Sequence, residues 1–109
     1  MEIRTIDGIR LAILDTRLDA CVAKEIGPAL DDLCRQGVKK LLFDFSRTEY
    51  ISSAGLRLLI STEKKMQESG GRCILFSLQP NVRRVFEMAG ITHLFPICDS
   101  EEEALKSFG

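Results

Sequence analysis

Asp44-Phe45-Ser46-Arg47-Thr48-Glu49-Tyr50-Ile51-Ser52-Ser53-Ala54-Gly55-Leu56-Arg57-Leu58-Leu59 follows directly on a run, Val38 to Phe43, that reads as a buried strand. The same stretch opens a helix whose first turn carries Ser52, Ser53 and Gly55. Two hydroxyls are thereby presented where a strand hands over to a helix. Open α/β sheets place their sites at such strand ends. No acid–base pair, metal-ligand spacing or phosphate-cradling glycine loop accompanies these serines, and the G-x-S-x-G elbow of a nucleophilic serine is absent. The pattern points to a serine that is modified or recognised, and away from an enzyme.

The flanking sequence predicts the architecture. Ile3 and Ile6, then Asp7-Gly8, then Ile9, Leu11 and Ile13 alternating with Arg10 and Ala12 predict an antiparallel hairpin, because both turn residues tolerate positive φ. Val22, Ile26, Leu30 and Leu33 recur at helical spacing up to Gly37. Pro28 interrupts that spacing, so it is expected near the helix's first turn, with residues 18–23 in a separate short turn. The strand from Val38 to Phe45 is apolar enough to lie centrally, covered on both faces.

Leu56, Leu59, Ile60 and Met66 then point inward along a helix that stops at Ser69-Gly70-Gly71. A strand follows over Arg72–Leu78, and Pro80 opens a helix carrying Val82, Val85, Phe86 and Ala89 on one face, closed by Gly90. A short strand over Leu94–Cys98 precedes a last helix, where Ser100 and Glu103 have capping-box spacing and three glutamates sit in the first turn. The order β-β-α-β-α-β-α-β-α implies one α/β domain over residues 1–109. Its N-terminal antiparallel hairpin joins a mostly parallel sheet with about four helices.

Composition narrows the function. The chain has 109 residues, 45% hydrophobic and 28% charged, as an ordinary globular domain does. A net charge of −1, from 15 basic and 16 acidic side chains, supplies little of the phosphate neutralisation that nucleic-acid binding needs. Six Phe, one Tyr and no Trp make a poor base-stacking platform. Cys21, Cys34, Cys73 and Cys98 lack C-x-x-C spacing and His93 is the single histidine, which argues against zinc and for reduced, small-hydrophobe cysteines. Neither a leader-like apolar segment nor a membrane-length run is present, so a cytoplasmic protein without membrane insertion is expected.

Taken singly, Ser52 or Ser53 is an ordinary helix N-cap worth ~1 kcal/mol. A phosphate on such a serine would face unpaired N–H groups and the positive end of the helix dipole, so the fold would tolerate it while the surface changed sharply. Arg57, four residues after Ser53, lies on the same helix face and can partner that phosphate. Asp44 reads equally as orienting this loop or as a strand-end turn residue. Arg83 and Arg84 read as a solvated helix face, Tyr50 as packing beneath the loop, and His93 as a loop residue.

Four segments carry a resemblance: Leu18-Asp19, Leu41-Leu42-Phe43-Asp44-Phe45, Tyr50-Ile51-Ser52-Ser53-Ala54-Gly55-Leu56, and Pro80-Asn81-Val82-Arg83-Arg84-Val85-Phe86-Glu87-Met88-Ala89-Gly90-Ile91. Through them essentially the whole chain resembles STAS-domain proteins of the bacterial anti-sigma-factor antagonist type. The resemblance implies a partner switch without a cofactor. Family members bind a GHKL-type serine kinase that is also an anti-sigma factor, and so release the sigma factor. The kinase phosphorylates the loop serine, and a PP2C-type phosphatase removes the phosphate. Ser53 falls on the acceptor position and Asp19 on an acidic position beside it. Partner binding is expected of Asp19, Ser52, Ser53, Ala54, Gly55, Leu56 and Arg57. Ser52 stands where the family often has aspartate, and Ala54 where a second serine is common. The alternative implied by the same resemblance is an unphosphorylated accessory subunit of an ABC (phospholipid) transporter, in which Ser53 is only a cap.

Overall fold

The computed structural model describes residues 1–108; residue 109, the last of the expected domain, lies outside them. Strands β1 (Glu2–Ile6) and β2 (Ile9–Ile13) form the predicted hairpin, with Ile6 opposite Ile9 and positive φ at both Asp7 (49°) and Gly8 (80°). β2 continues the sheet in parallel with β4 (Lys40–Asp44), which pairs with β6 (Arg72–Phe76) and then β7 (Ile97–Cys98), giving the order β1-β2-β4-β6-β7. A separate two-stranded parallel ribbon joins β3 (Arg17–Leu18) to β5 (Tyr50–Ile51). The helices are α1 (Ala20–Arg35), α2 (Ser53–Glu68), α3 (Pro80–Met88) and α4 (Glu101–Phe108).

Alternation along the strands divides the interior into two layers. Leu41, Phe43, Cys73 and Leu75 face the apolar stripes of α1 (Ile26, Leu30, Leu33), α2 (Leu56, Leu59, Met66) and α3 (Val82, Phe86). Ile9, Leu11, Ile13, Leu42, Ile74 and Phe76 face the other way, onto Ala104 of α4. The central strand is thus buried on both faces, as its composition implies. It runs only from Lys40 to Asp44, so the expected strand from Val38 to Phe45 is two residues too long at its start and one at its end. Phe86 closes the first layer edge-on against Phe45 and Phe95, each with centroids 6.0 Å away.

Other expectations need correction too. The strand expected over Arg72–Leu78 ends at Phe76, and Ser77 turns to a positive φ of 58°. Residues 18–23 form no separate turn, and Pro28 is not in a first turn: α1 starts at Ala20 and runs through Pro28. The Asp19 carboxylate accepts the Val22 N–H at 3.0 Å and caps the helix, while Ile26, Leu30 and Leu33 are buried along its length. Packing of that stripe outweighs one missing backbone bond, and Lys24 and Pro28 both lie on the exposed side of the helix. Leu94 belongs to a short 3₁₀ turn (Thr92–Leu94) ahead of β7. Ala89 is exposed beyond the end of α3, whereas Val82 and Phe86 are buried. The α4 cap holds in altered form: Ser100 Oγ accepts the Glu103 N–H at 3.2 Å, and Glu103 reaches back to the Asp99 N–H.

Candidate functional site

The short ribbon sets two helix starts side by side. Leu18 and Ile51 are strand partners, both turned inward and nearly inaccessible, and Ser52 N–H donates to Leu18 O at 3.0 Å. Two residues beyond each partner the chain becomes helical, and the residues between, Asp19 and Ser52, cap α1 and α2 as neighbours. The ribbon is tied down from beneath. Thr48 is fully buried and donates its hydroxyl to Asp15 O at 2.9 Å, and Glu49 N–H donates to Thr16 O at 2.7 Å.

The two serines take different roles. Ser52 Oγ accepts the Gly55 N–H at 3.2 Å, the bond of an N-cap, and its backbone is extended (φ −97°, ψ 172°). Ser53 is the first helical residue; its side chain is exposed and has no hydrogen-bond partner among the described residues. Capping therefore occupies Ser52 and leaves the Ser53 hydroxyl free at the positive end of a 16-residue helix.

Gly55 is required by contact, not by φ. A β-carbon there would stand 2.5 Å from Leu18 O and 2.9 Å from the Ile51 side chain. Gly55 and Leu56 are buried and seat the turn on the ribbon; Ala54 is half-buried, and Arg57 is exposed one turn beyond Ser53. Of the residues expected to meet a partner, Asp19, Ser52, Ser53, Ala54 and Arg57 reach the surface, whereas Gly55 and Leu56 act from inside.

Asp19 is half-buried, with one carboxylate oxygen on the Val22 N–H and the other 3.5 Å from Arg17 Nε. The Val22 N–H is the main cause that holds its carboxyl below the usual carboxylate range; burial opposes it, and Arg17 adds smaller lowering contributions. Tyr50 does not pack beneath the loop. Since Ile51 faces inward, strand alternation turns Tyr50 outward; it is 44% exposed, with the Arg17 guanidinium 4.5 Å above its ring. Arg17 carries no signal in the local sequence, because its neighbours across the ribbon lie 33 residues away. Asp44 accepts the Ser46 N–H at 2.8 Å, the role of a strand-end turn residue. Arg83 pairs with Asp99 at 3.6 Å while Arg84 is exposed, and His93 sits exposed in the 3₁₀ turn.

All four cysteines are free; Cys73 alone of them is buried, whereas Cys21 is exposed at the start of α1. No helix among the described residues is long and apolar enough to cross a membrane.

A parallel sheet with an antiparallel hairpin at one edge, and a capped serine loop beside an acidic helix start, is the arrangement of a STAS domain. The family model described as STAS domain matches residues 1–104. The chain is 34% identical over 103 residues to BtrV of Bordetella bronchiseptica, assigned as an anti-sigma factor antagonist, covering 94% of this chain and 89% of that one. It is 23% identical to an anti-sigma F factor antagonist of Paenibacillus polymyxa, over 90% of this chain and 85% of that one. Its fold matches unphosphorylated SpoIIAA, an anti-sigma factor antagonist, with a TM-score of 0.86 at 23% identity, over 98% of this chain and 94% of that one. The chain belongs to the STAS-domain family of bacterial anti-sigma-factor antagonists.

Proposed function

We propose that this protein is a non-enzymatic, cytoplasmic partner switch: an anti-sigma-factor antagonist that docks an anti-sigma kinase of GHKL type and is released by phosphorylation of Ser53. A PP2C-type phosphatase restores the unmodified form. The observation that carries this reading is the division of labour between the serines: Ser52 is consumed in capping, while the Ser53 hydroxyl is exposed and unbonded. A kinase can take Ser53 without dismantling the helix start. The phosphate would then sit over the free N–H groups of α2 with Arg57 one turn away, adding charge and bulk to the docking surface without unfolding it. Docking would involve the two adjacent helix starts, Asp19 and Ser52 to Ala54, with Arg57 alongside.

The test combines mass and docking. Intact protein from its native cells is weighed and any phosphate mapped by fragmentation; a phosphate on Ser53, lost on Ser53→Ala, is the expected result. Against the kinase recovered by co-purification, Ser53→Asp is expected to lose docking and Ser53→Ala to dock permanently. Wild-type behaviour of both variants, or an ATPase subunit in place of a kinase, would end this reading and favour the unphosphorylated transporter subunit.

A further inference from the structure

Arg17 stands on the outward face of the ribbon, because Leu18 and Ile51 take the inward face. Its guanidinium lies 4.5 Å over the Tyr50 ring, and its Nε is 3.5 Å from Asp19 Oδ2. That ion pair is loose. Charge-assisted hydrogen bonds of this kind close to about 2.7–2.9 Å, and the other Asp19 oxygen is already engaged by the Val22 N–H. Both side chains are partly solvated, 62% exposed for Arg17 and 30% for Asp19, and pairs in that setting are weak. A guanidinium so held is available to a stronger anion nearby.

Ser53 follows Tyr50 by three residues, at most about 10 Å along an extended chain. A phosphate there would bring about −1.5 to −2 charges and three acceptor oxygens, against one carboxylate oxygen at Asp19. Arginine reaches phosphate with a planar, two-pronged donor set, which a single oxygen at 3.5 Å does not use.

We propose that Arg17 is a positioning residue that changes partner with the state of Ser53. It pairs with Asp19 over the Tyr50 ring when Ser53 is unmodified, and with the phosphate when Ser53 is phosphorylated. The inference rests on the reading of Ser53 as acceptor and adds its consequence for the surface. Modification would alter two patches together, covering the serine and uncovering the Tyr50 ring and the Asp19 carboxylate. Arg57 would approach the phosphate from within α2, and among the described residues the cation stacked on Tyr50 is Arg17, so the two arginines leave different marks.

The test needs no kinase: phosphoserine is incorporated at position 53 of the full chain during translation. With one tyrosine and no tryptophan, the tyrosine ring resonances and the tyrosine emission report on Tyr50 alone. The expected result is a shift of the Arg17 Nε–Hε resonance, a shift of the Tyr50 ring protons and loss of the Arg17–Tyr50 cross-relaxation. The Tyr50 shift should vanish in Arg17→Gln, persist in Arg57→Gln and be partly retained in Arg17→Lys. Both arginines are exposed, so these variants are expected to fold. Unchanged Arg17–Tyr50 cross-relaxation in the phosphoprotein would overturn the proposal, as would an equal Tyr50 shift in Arg17→Gln. Failure of the acceptor reading shows elsewhere, as the absence of phosphate on protein from native cells.

Discussion

Asp19 and Ser52 each close the first turn of a helix, and those turns are neighbours because Leu18 and Ile51 are strand partners. This gives the two adjacent serines opposite sensitivities. Ser52→Ala removes a cap and is expected to cost about 1 kcal/mol, whereas Ser53→Ala, at an exposed first helical position with no side-chain bond to lose, should change stability by less than about 0.5 kcal/mol. Urea unfolding of the two variants checks the contrast; equal losses would mean that the caps are assigned wrongly. Gly55 is the least replaceable residue of the loop. In Gly55→Ala the new methyl meets Leu18 O at 2.5 Å, and that oxygen is backbone already engaged by Ser52 N–H, so it cannot swing aside. A loss of about 1–3 kcal/mol, typical of overpacking, is expected in the same measurement.

At the scale of elements, α1 shows how far burial overrides local preference. Pro28 interrupts a 16-residue helix whose Ile26, Leu30 and Leu33 fill the core. Proline in a helix interior is disfavoured by ~3 kcal/mol, partly offset by ~1 kcal/mol through the stiffer unfolded chain. Pro28→Ala, on an exposed face, is therefore expected to raise stability by about 1–2 kcal/mol. A higher urea midpoint at unchanged slope would show it; a lower midpoint would mean that the proline sets a bend which the packing needs. The sequence shows both the stripe and the proline, but nothing in it weighs one against the other. The β3–β5 ribbon was equally illegible: two residues per strand are too few for a periodic pattern, and their partners are remote in the chain.

For the molecule as a whole, the short last strand leaves a mark on pH dependence. β7 pairs only with Leu75 and Phe76, so the Cys73 N–H lower on the same edge has no strand partner. The Glu63 carboxylate of α2 supplies one, accepting that N–H at 3.1 Å while only 5% exposed. Burial raises the Glu63 pKa above its ordinary 4.5, opposed in lesser part by this hydrogen bond. Because the folded value exceeds the unfolded one, the stabilising contribution of protonated Glu63 is complete below about pH 4.5 and is lost as pH rises through the folded value. Glu63→Gln keeps an acceptor for Cys73 and removes the titration. It is expected to gain on wild type as pH rises from 4 to 7, followed by urea midpoints across that range. A constant difference between the two proteins would show that Glu63 does not titrate there.

Sequence alone determined the elements whose signals are local: the Asp7-Gly8 hairpin, the twice-covered strand ending at Asp44, the helix start at Ser52-Ser53, and the family motif around Gly55. Each depends on φ preference, side-chain period or spacing within a few residues, which the chain carries in its own order. Tertiary structure decided the rest. It chose Ser52 over Ser53 as the cap, carried α1 through Pro28, and turned Tyr50 outward under Arg17. It also set the Asp19 carboxylate between the Val22 N–H and Arg17. Those outcomes follow from which side chains are buried and which segments far apart in sequence are hydrogen-bonded, and no local pattern encodes either.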